Sequence, residues 1–170
     1  MINYRNDAIV SLERAKTELS SGDNNRLKYA MLELRLAMES LIYDRAAAYK
    51  QELPESEYAT WQPRKLMSVL LEIDPHADKD SSIAAGLEKE YGVQAENMKY
   101  IGSEKVLKMG EIRKNYDMLR YHLHVPSLKQ MTDGKTTDYE HIRQRCEELV
   151  STIDKALSST VFNAIFKVGS

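Results

Sequence analysis

A long run of apolar residues at helical spacing constrains the fold of this chain more than any other feature. Between Asn25 and Leu53, apolar side chains recur every three or four positions, as on one face of an α-helix. The residues of this face are Leu27, Met31, Leu34, Met38 and Leu41. Further apolar residues widen it, namely Tyr29, Leu32, Leu36 and Tyr43. A helix that is apolar around so much of its circumference needs packing partners on more than one side, so we expect it at the centre of a bundle.

The rest of the chain has the same helical period. Its 170 residues include only seven glycines and four prolines, which favours helix over strand. We predict further helices at about 3–19, 64–73, 104–123 and 138–166, with Pro63 opening the second of these and Ser103 capping the third. More than half of the residues should be helical. The residues predicted for a single core are Leu34, Met38, Leu41, Ile112, Tyr116, Leu119, Leu149 and Ile153.

The stretch from about 74 to 102 is the least regular, because glycines interrupt short apolar runs. It is either an irregular insertion or a small β-hairpin with strands at about 82–87 and 97–101. No internal repeat or linker divides the chain. The predicted fold is therefore mainly all-α, an up-and-down bundle of about four to five helices that forms one domain over residues 1–170. Trp61 is expected to cover the open end of the bundle, and a stacking platform for a base is the alternative.

The charge balance excludes a chain that is basic throughout. The formal net charge is −2 with 29% charged residues, so a site for nucleic acid would have to be a local patch. The single cysteine, Cys146, cannot form an intramolecular disulfide, which is typical of a reducing compartment. No apolar run approaches the roughly 20 residues of a membrane span, and the first residues do not resemble a signal peptide. We therefore expect a cytoplasmic protein that does not interact with membranes.

The strongest candidate for a functional site is the segment from Ile112 to Pro126, which a helical pattern followed by a proline defines. The polar stripe of this helix consists of Arg113, Asp117, Arg120 and His124. Two of the four histidines, His122 and His124, lie here near Arg120. Imidazole exchanges a proton near neutral pH and guanidinium stabilises phosphate charge, so this group suits phosphodiester chemistry. It equally suits a helix end at which His and Arg side chains bind the terminal carbonyls.

The predicted central helix also contains charged residues. Arg35 and Glu39 lie one turn apart and can form an ion pair. If this side of the helix is buried, Glu39 would orient an arginine or histidine of the helix at 104–123; if it is exposed, the pair is an ordinary surface salt bridge. No pair of cysteines and no His-Glu-x-x-His motif occurs, so neither a metal nor another cofactor is predicted. His76 and His141 are expected to be exposed and without a functional role.

Two motifs together resemble the HEPN superfamily, which is named after higher-eukaryote and prokaryote nucleotide-binding domains. They are Glu33-x-Arg35-x-x-x-Glu39 in the central helix and Arg120-Tyr121-His122-Leu123-His124-Val125-Pro126 at the end of a later one. HEPN domains are small helical bundles that are frequent in bacterial toxin–antitoxin and antiphage systems. Many are dimeric ribonucleases that need no metal. They use an arginine followed by a histidine after four to six residues. Arg120 and His124 are the corresponding residue types here, with three residues between them.

The resemblance implies roles for the candidate residues. Arg120 and His124, or His122 in its place, would be catalytic, with the histidine taking the proton of a ribose 2′-hydroxyl and the arginine stabilising the phosphorane. The implied binding residues are Arg35, Glu39, Arg113 and Tyr116. The implied partners are a second copy of the chain, RNA or a nucleotide, and a partner protein of a bacterial defence complex. The alternative is a non-catalytic helical adaptor or regulator that binds a partner protein.

Overall fold

The predicted central helix is the longest helix of the computed structural model, which describes residues 2–59, 62–134 and 136–164. The structure is 60% helical with one two-stranded sheet, so the mainly α-helical fold with a small hairpin is confirmed. The helices are α1 (Tyr4–Ser20), α2 (Leu27–Ala48), α3 (Glu55–Tyr58), α4 (Pro63–Ile73), α5 (Met109–Leu123), α6 (Leu128–Thr132) and α7 (Tyr139–Leu157). The strands are β1 (Ser81–Ala85) and β2 (Lys99–Glu104), and a 3-10 turn at Asn24–Arg26 precedes α2.

Helix α2 packs against α1, α4, α5 and α7, which confirms its central position. The residues that the sequence predicted for a single core are all buried in one cluster. Helix α2 ends at Ala48 rather than near Leu53, although Tyr49 and Leu53 remain buried beyond its end. The Tyr49 hydroxyl donates a 2.6 Å hydrogen bond to the Asp74 carboxylate, so this buried turn connects the end of α2 to the end of α4. Among the residues that the structure describes, no helix is long and apolar enough to cross a membrane.

The strands of the hairpin are shifted toward its base relative to the predicted strands at about 82–87 and 97–101. Strands β1 and β2 pair antiparallel, from Ser81 opposite Glu104 to Ala85 opposite Lys99. The predicted helix start was therefore wrong, because Ser103 and Glu104 belong to β2 and α5 begins only at Met109. The Met109 amide donates to the Asp78 carboxylate at 3.0 Å, which supplies the cap that Ser103 was expected to provide.

The last helix is shorter than predicted, since α7 ends at Leu157 rather than near Phe166. The guanidinium of Arg5 donates to the carbonyls of Ala156 and Leu157, at 3.1 and 3.2 Å, and so caps the end of α7. The chain then runs beside β2, where the Thr160 amide donates to the Ser103 carbonyl at 3.2 Å. Phe166 and Trp61 lie outside the described residues.

A buried polar cluster, which we define as Arg45, Glu104 and Asn163, fixes the base of the hairpin. The guanidinium of Arg45 lies 3.4 Å from the Glu104 carboxylate and donates to the Ala77 carbonyl at 3.1 Å. The same carboxylate accepts the backbone amides of Asn163 and Ala164. The cluster therefore joins α2, the hairpin and the segment that follows α7. Its carboxylate is enclosed by donors, as a buried charge requires.

Candidate histidine cleft

A cleft of about 410 Å³ opens where the end of α5 meets the beginnings of α2 and α7. Its described lining includes Asn24, Asn25, Lys28, Tyr121, His122, His124, Gln130, Thr136, Thr137, Asp138, Tyr139 and His141. We call this site the histidine cleft, because three of the four histidines of the chain line it. Leu27, Met31 and Ile142 add apolar area to this lining, and a solvent-accessible pocket with both apolar and polar side chains is typical of a ligand-binding site.

His122 is the most enclosed of the three imidazoles. It is half-buried on the last turn of α5, whereas His124 and His141 are exposed. Burial, together with the charge of the neighbouring His141, lowers the pKa of His122 below its ordinary value. The His122 side chain is therefore neutral at pH 7 and can accept a proton there. The Tyr121 ring stands edge-on to it with 4.9 Å between the ring centroids.

Local capping places His141 opposite the end of α5. The side chain of Asp138 accepts the His141 amide at 2.9 Å and caps α7, so His141 lies in the first turn of that helix. The positive end of the α7 dipole then borders the cleft. Lys28, exposed on the first turn of α2, adds a full positive charge. The lining also contains the Asp138 carboxylate, so attraction of an anion by the cleft depends on Lys28 together with protonation of the imidazoles.

The predicted Arg120/His124 pair does not converge on this cleft. His124 lines it together with His122, but Arg120 is exposed and is not among the described residues of the lining. Arg113 is exposed on the same side of α5 as Arg120. Next to it, the Asp117 carboxylate accepts a 3.0 Å hydrogen bond from Arg64 at the start of α4. The catalytic and binding roles of Arg120 and Arg113 remain predictions.

The charged pair of α2 forms a separate group. The Nε atom of Arg35 donates to Glu39 at 2.9 Å, and the Arg35 guanidinium lies 5.9 Å from the centre of the Tyr116 ring. Burial and the adjacent Glu39 carboxylate raise the pKa of the Tyr116 hydroxyl. Glu39 therefore orients an arginine of its own helix rather than one of α5. The Arg35 side chain is 47% exposed, which fits the surface salt-bridge interpretation.

Sequence reasoning missed His141 and Lys28 as members of the site. The signal available for His141 was that the end of α5 and the beginning of α7 each contain a histidine. The 15 residues between Leu123 and Tyr139, which include α6, do not oblige these two ends to meet, so the fold brings them together. Lys28 gave no comparable signal, since an exposed lysine in the first turn of a helix is ordinary.

The chemistry available in the cleft is binding of an anion and transfer of protons. No group of three His, Cys, Asp or Glu side chains in the described part of the chain is arranged to hold a metal ion. Burial raises the pKa of the Cys146 thiol to about 11, so this cysteine is a poor nucleophile. Comparisons with protein-family models, curated proteins and solved structures found no match. The geometry of the cleft is therefore the basis for a functional assignment.

Proposed function

We propose that the protein binds RNA and holds one of its phosphates in the histidine cleft. The observation that carries this proposal is the convergence of His122, His124 and His141 with Lys28 on one open cleft. The overall charge of −2 does not attract nucleic acid, so a local cationic site is needed for such binding. A phosphate between the imidazoles would favour their protonated forms and gain charge-assisted hydrogen bonds.

Aromatic and amide side chains at the cleft favour RNA over inorganic phosphate. Tyr121 and Tyr139 both line the cleft and both are exposed, so their rings are available to stack with unpaired bases. Asn24 and Gln130 offer donors and acceptors at base edges. The resemblance to HEPN domains points to the same ligand class and to a cytoplasmic protein of a bacterial defence system.

A second candidate function, cleavage of RNA without a metal, is favoured by the lowered pKa of His122 next to His141. In this reaction neutral His122 takes the proton of a ribose 2′-hydroxyl, and the 2′-oxygen attacks the adjacent phosphorus. The bond to the 5′-oxygen breaks, and His141 donates a proton to this leaving group as the general acid. The products are a 2′,3′-cyclic phosphate and a 5′-hydroxyl.

Binding of a fluorescent single-stranded RNA tests the proposal. We expect His122→Ala, His141→Ala and Lys28→Ala each to weaken binding by about tenfold, as loss of a charge-assisted contact would. His76→Ala is the matched control, because His76 is an exposed histidine in the turn after α4. Equal affinity of all these variants and the wild type would overturn the proposal. If the wild type binds a helical partner protein and no RNA, the adaptor alternative replaces it.

Cleavage is measured on the same variants in the presence of EDTA. The ribonuclease candidate predicts a cyclic phosphate product that disappears in both His122→Ala and His141→Ala. Arg120→Ala and His124→Ala distinguish catalysis by His122 and His141 from catalysis by the Arg120/His124 pair that the HEPN resemblance implies. Loss of cleavage in those two variants alone would reassign the catalytic residues to Arg120 and His124.

A further inference from the structure

The hairpin and its connecting loop project from the bundle with apolar side chains in solvent. We call residues 81–104 the arm and the loop 86–98 its tip. Leu87 and Tyr91 in the tip are 94% and 104% exposed, and Val93 is more than half exposed. Tyr100 and Ile101 of β2 are also exposed. Large apolar side chains clustered in this way usually mark an interaction surface.

The tip is folded before any partner binds. Lys89 and Glu96 form a 2.6 Å ion pair across it, and the Glu88 side chain accepts the Gly92 amide at 3.2 Å. Gly86 packs so closely that a Cβ atom there would lie 2.6 Å from the Cβ of Ala95. The apolar side chains are therefore presented by an ordered loop, which lowers the entropic cost of binding.

A second apolar surface lies on the outer face of α2. The exposed residues of this fully described helix are Lys28, Tyr29, Leu32, Arg35, Leu36 and Ala47. None of them is acidic, so the outer face is apolar with a positive charge. Val10 of α1 is also exposed, and α1 packs along α2. The outer face of α2, like the tip, therefore presents apolar side chains to solvent.

The two surfaces are complementary in charge. The tip contains three acids, Glu88, Glu90 and Glu96, and one base, Lys89, which gives it a net charge of −2. The exposed bases on the outer face of α2 are Lys28 and Arg35; Arg35 is ion-paired with Glu39, so Lys28 supplies the positive charge toward the tip. Contact between them would bury apolar area on both sides and place opposite charges at its edge.

We propose that the occupant of the α2 face is the arm of a second copy of this chain. Reciprocal packing, with each arm on the α2 face of the other copy, gives a closed two-fold dimer in which both apolar surfaces are covered. The carboxylates of the tip disfavour the tip itself as a surface for RNA. Binding of RNA to the α2 face alone is the competing outcome of the test.

The mass in solution is the first measurement. Light scattering at micromolar concentration should show about twice 19.5 kDa for the wild type. Tyr91→Glu and Leu36→Glu should each raise the dimer dissociation constant by at least about a hundredfold, because each places a charge in the apolar contact. Val125→Glu is the control, since Val125 is 89% exposed and lies outside both surfaces.

Cross-linking between two tagged variants locates the contact. The chain's own thiol is buried, so Tyr91→Cys on one copy and Leu36→Cys on the other supply the only exposed thiols among the described residues. A disulfide between the two tagged chains is the expected result, and Tyr91→Cys with Val125→Cys should give none. A monomeric wild type overturns the proposal, as does a dimer that neither glutamate variant weakens. If the wild type is monomeric and Leu36→Glu loses RNA binding, the face binds RNA instead.

Discussion

The buried polar cluster and the histidine cleft contain similar kinds of residue but use them in opposite ways. In the buried polar cluster, the Glu104 carboxylate meets the Arg45 guanidinium and two backbone amides, so its charge is fully surrounded by protein donors. In the histidine cleft, the imidazoles line an open volume of about 410 Å³ next to Lys28. One cluster is closed by its own chain, and the other keeps polar groups available for a ligand.

The two sites show how structural charge and functional charge differ. Burial of an ion pair is weak evidence for function, because satisfied buried charges mainly fix which segments meet. Access to solvent combined with a shifted pKa, as at His122, is stronger evidence. Changes in the buried polar cluster should therefore affect stability, and changes in the cleft should affect binding.

The largest expected effect is on stability, from breaking the ion pair of the buried polar cluster. Glu104→Leu leaves the Arg45 guanidinium buried without its carboxylate, and we expect unfolding free energy to fall by about 3 kcal/mol. Urea unfolding measures this loss. The double variant Arg45→Met/Glu104→Gln should recover part of it, because no charge is left buried and the glutamine still accepts backbone amides. A loss below about 0.5 kcal/mol in Glu104→Leu would contradict the structural role.

Two glycine substitutions test whether close packing beside the buried polar cluster contributes to stability. A Cβ atom at Gly102 would lie 2.5 Å from the Thr160 hydroxyl oxygen, so Gly102→Ala should destabilise the protein by about 1 kcal/mol. At Gly110, in the first turn of α5, a Cβ atom meets nothing within 4 Å. Gly110→Ala should stabilise it by about 0.5 kcal/mol. Thermal melts of the two variants should therefore shift in opposite directions, and an unchanged or raised melting temperature in Gly102→Ala would show that Gly102 is not closely packed.

The pH dependence of RNA binding tests whether His122 in the histidine cleft contacts the phosphate. Because the pKa of free His122 is lowered, its imidazole must take up a proton to bind a phosphate fully. RNA affinity should rise as pH falls from about 7.5 to 5.5, by up to about tenfold per pH unit for one proton. His122→Asn should flatten the profile, and His76→Asn should not. An affinity that is independent of pH would remove His122 from the site.

A smaller effect is expected on the stability of the free protein. Folding disfavours protonated His122, so the stability from this residue is fully present above the ordinary pKa of about 6.5. This contribution of His122 to stability is lost as the pH falls from its ordinary pKa toward the lower pKa that it has in the folded protein. Since the side chain is only half-buried, the loss should be a few tenths of a kcal/mol. Urea unfolding at pH 7 and pH 5 should show a smaller difference for His122→Asn than for the wild type.

The bundle was predictable because burial repeats along a helix. The stripe that begins at Leu27 identified α2, and the same spacing at Ile112 and Leu149 identified helices that pack with it. The predicted helix bounds were wrong where a long-range contact determines the backbone conformation against the local sequence pattern. Glu104 resembles the start of a helix in sequence, but its ion pair with Arg45 holds it in β2. The non-helical segment beyond Leu157 meets Ser103 in a similar way.

The candidate site was predictable only in part. The cluster at His122 and His124 was visible in the sequence, since the two residues are neighbours along one helix end. His141 and Lys28 come from two other helices, and their approach to His122 depends on how α5, α7 and α2 meet. The exposed position of Arg120 likewise follows from the rotation of α5 in the bundle, which the apolar stripe alone fixes only roughly.

The most direct test is an NMR titration of the four histidine side chains with and without a short single-stranded RNA. We expect the pKa of free His122 to lie below its ordinary value and RNA to raise it, because a bound phosphate stabilises the protonated imidazole. The ring signals of His141 should shift on addition of RNA, and those of His76, outside the cleft, should not. An unchanged pKa of His122 in an RNA-saturated sample would contradict the assignment of the histidine cleft as the phosphate site.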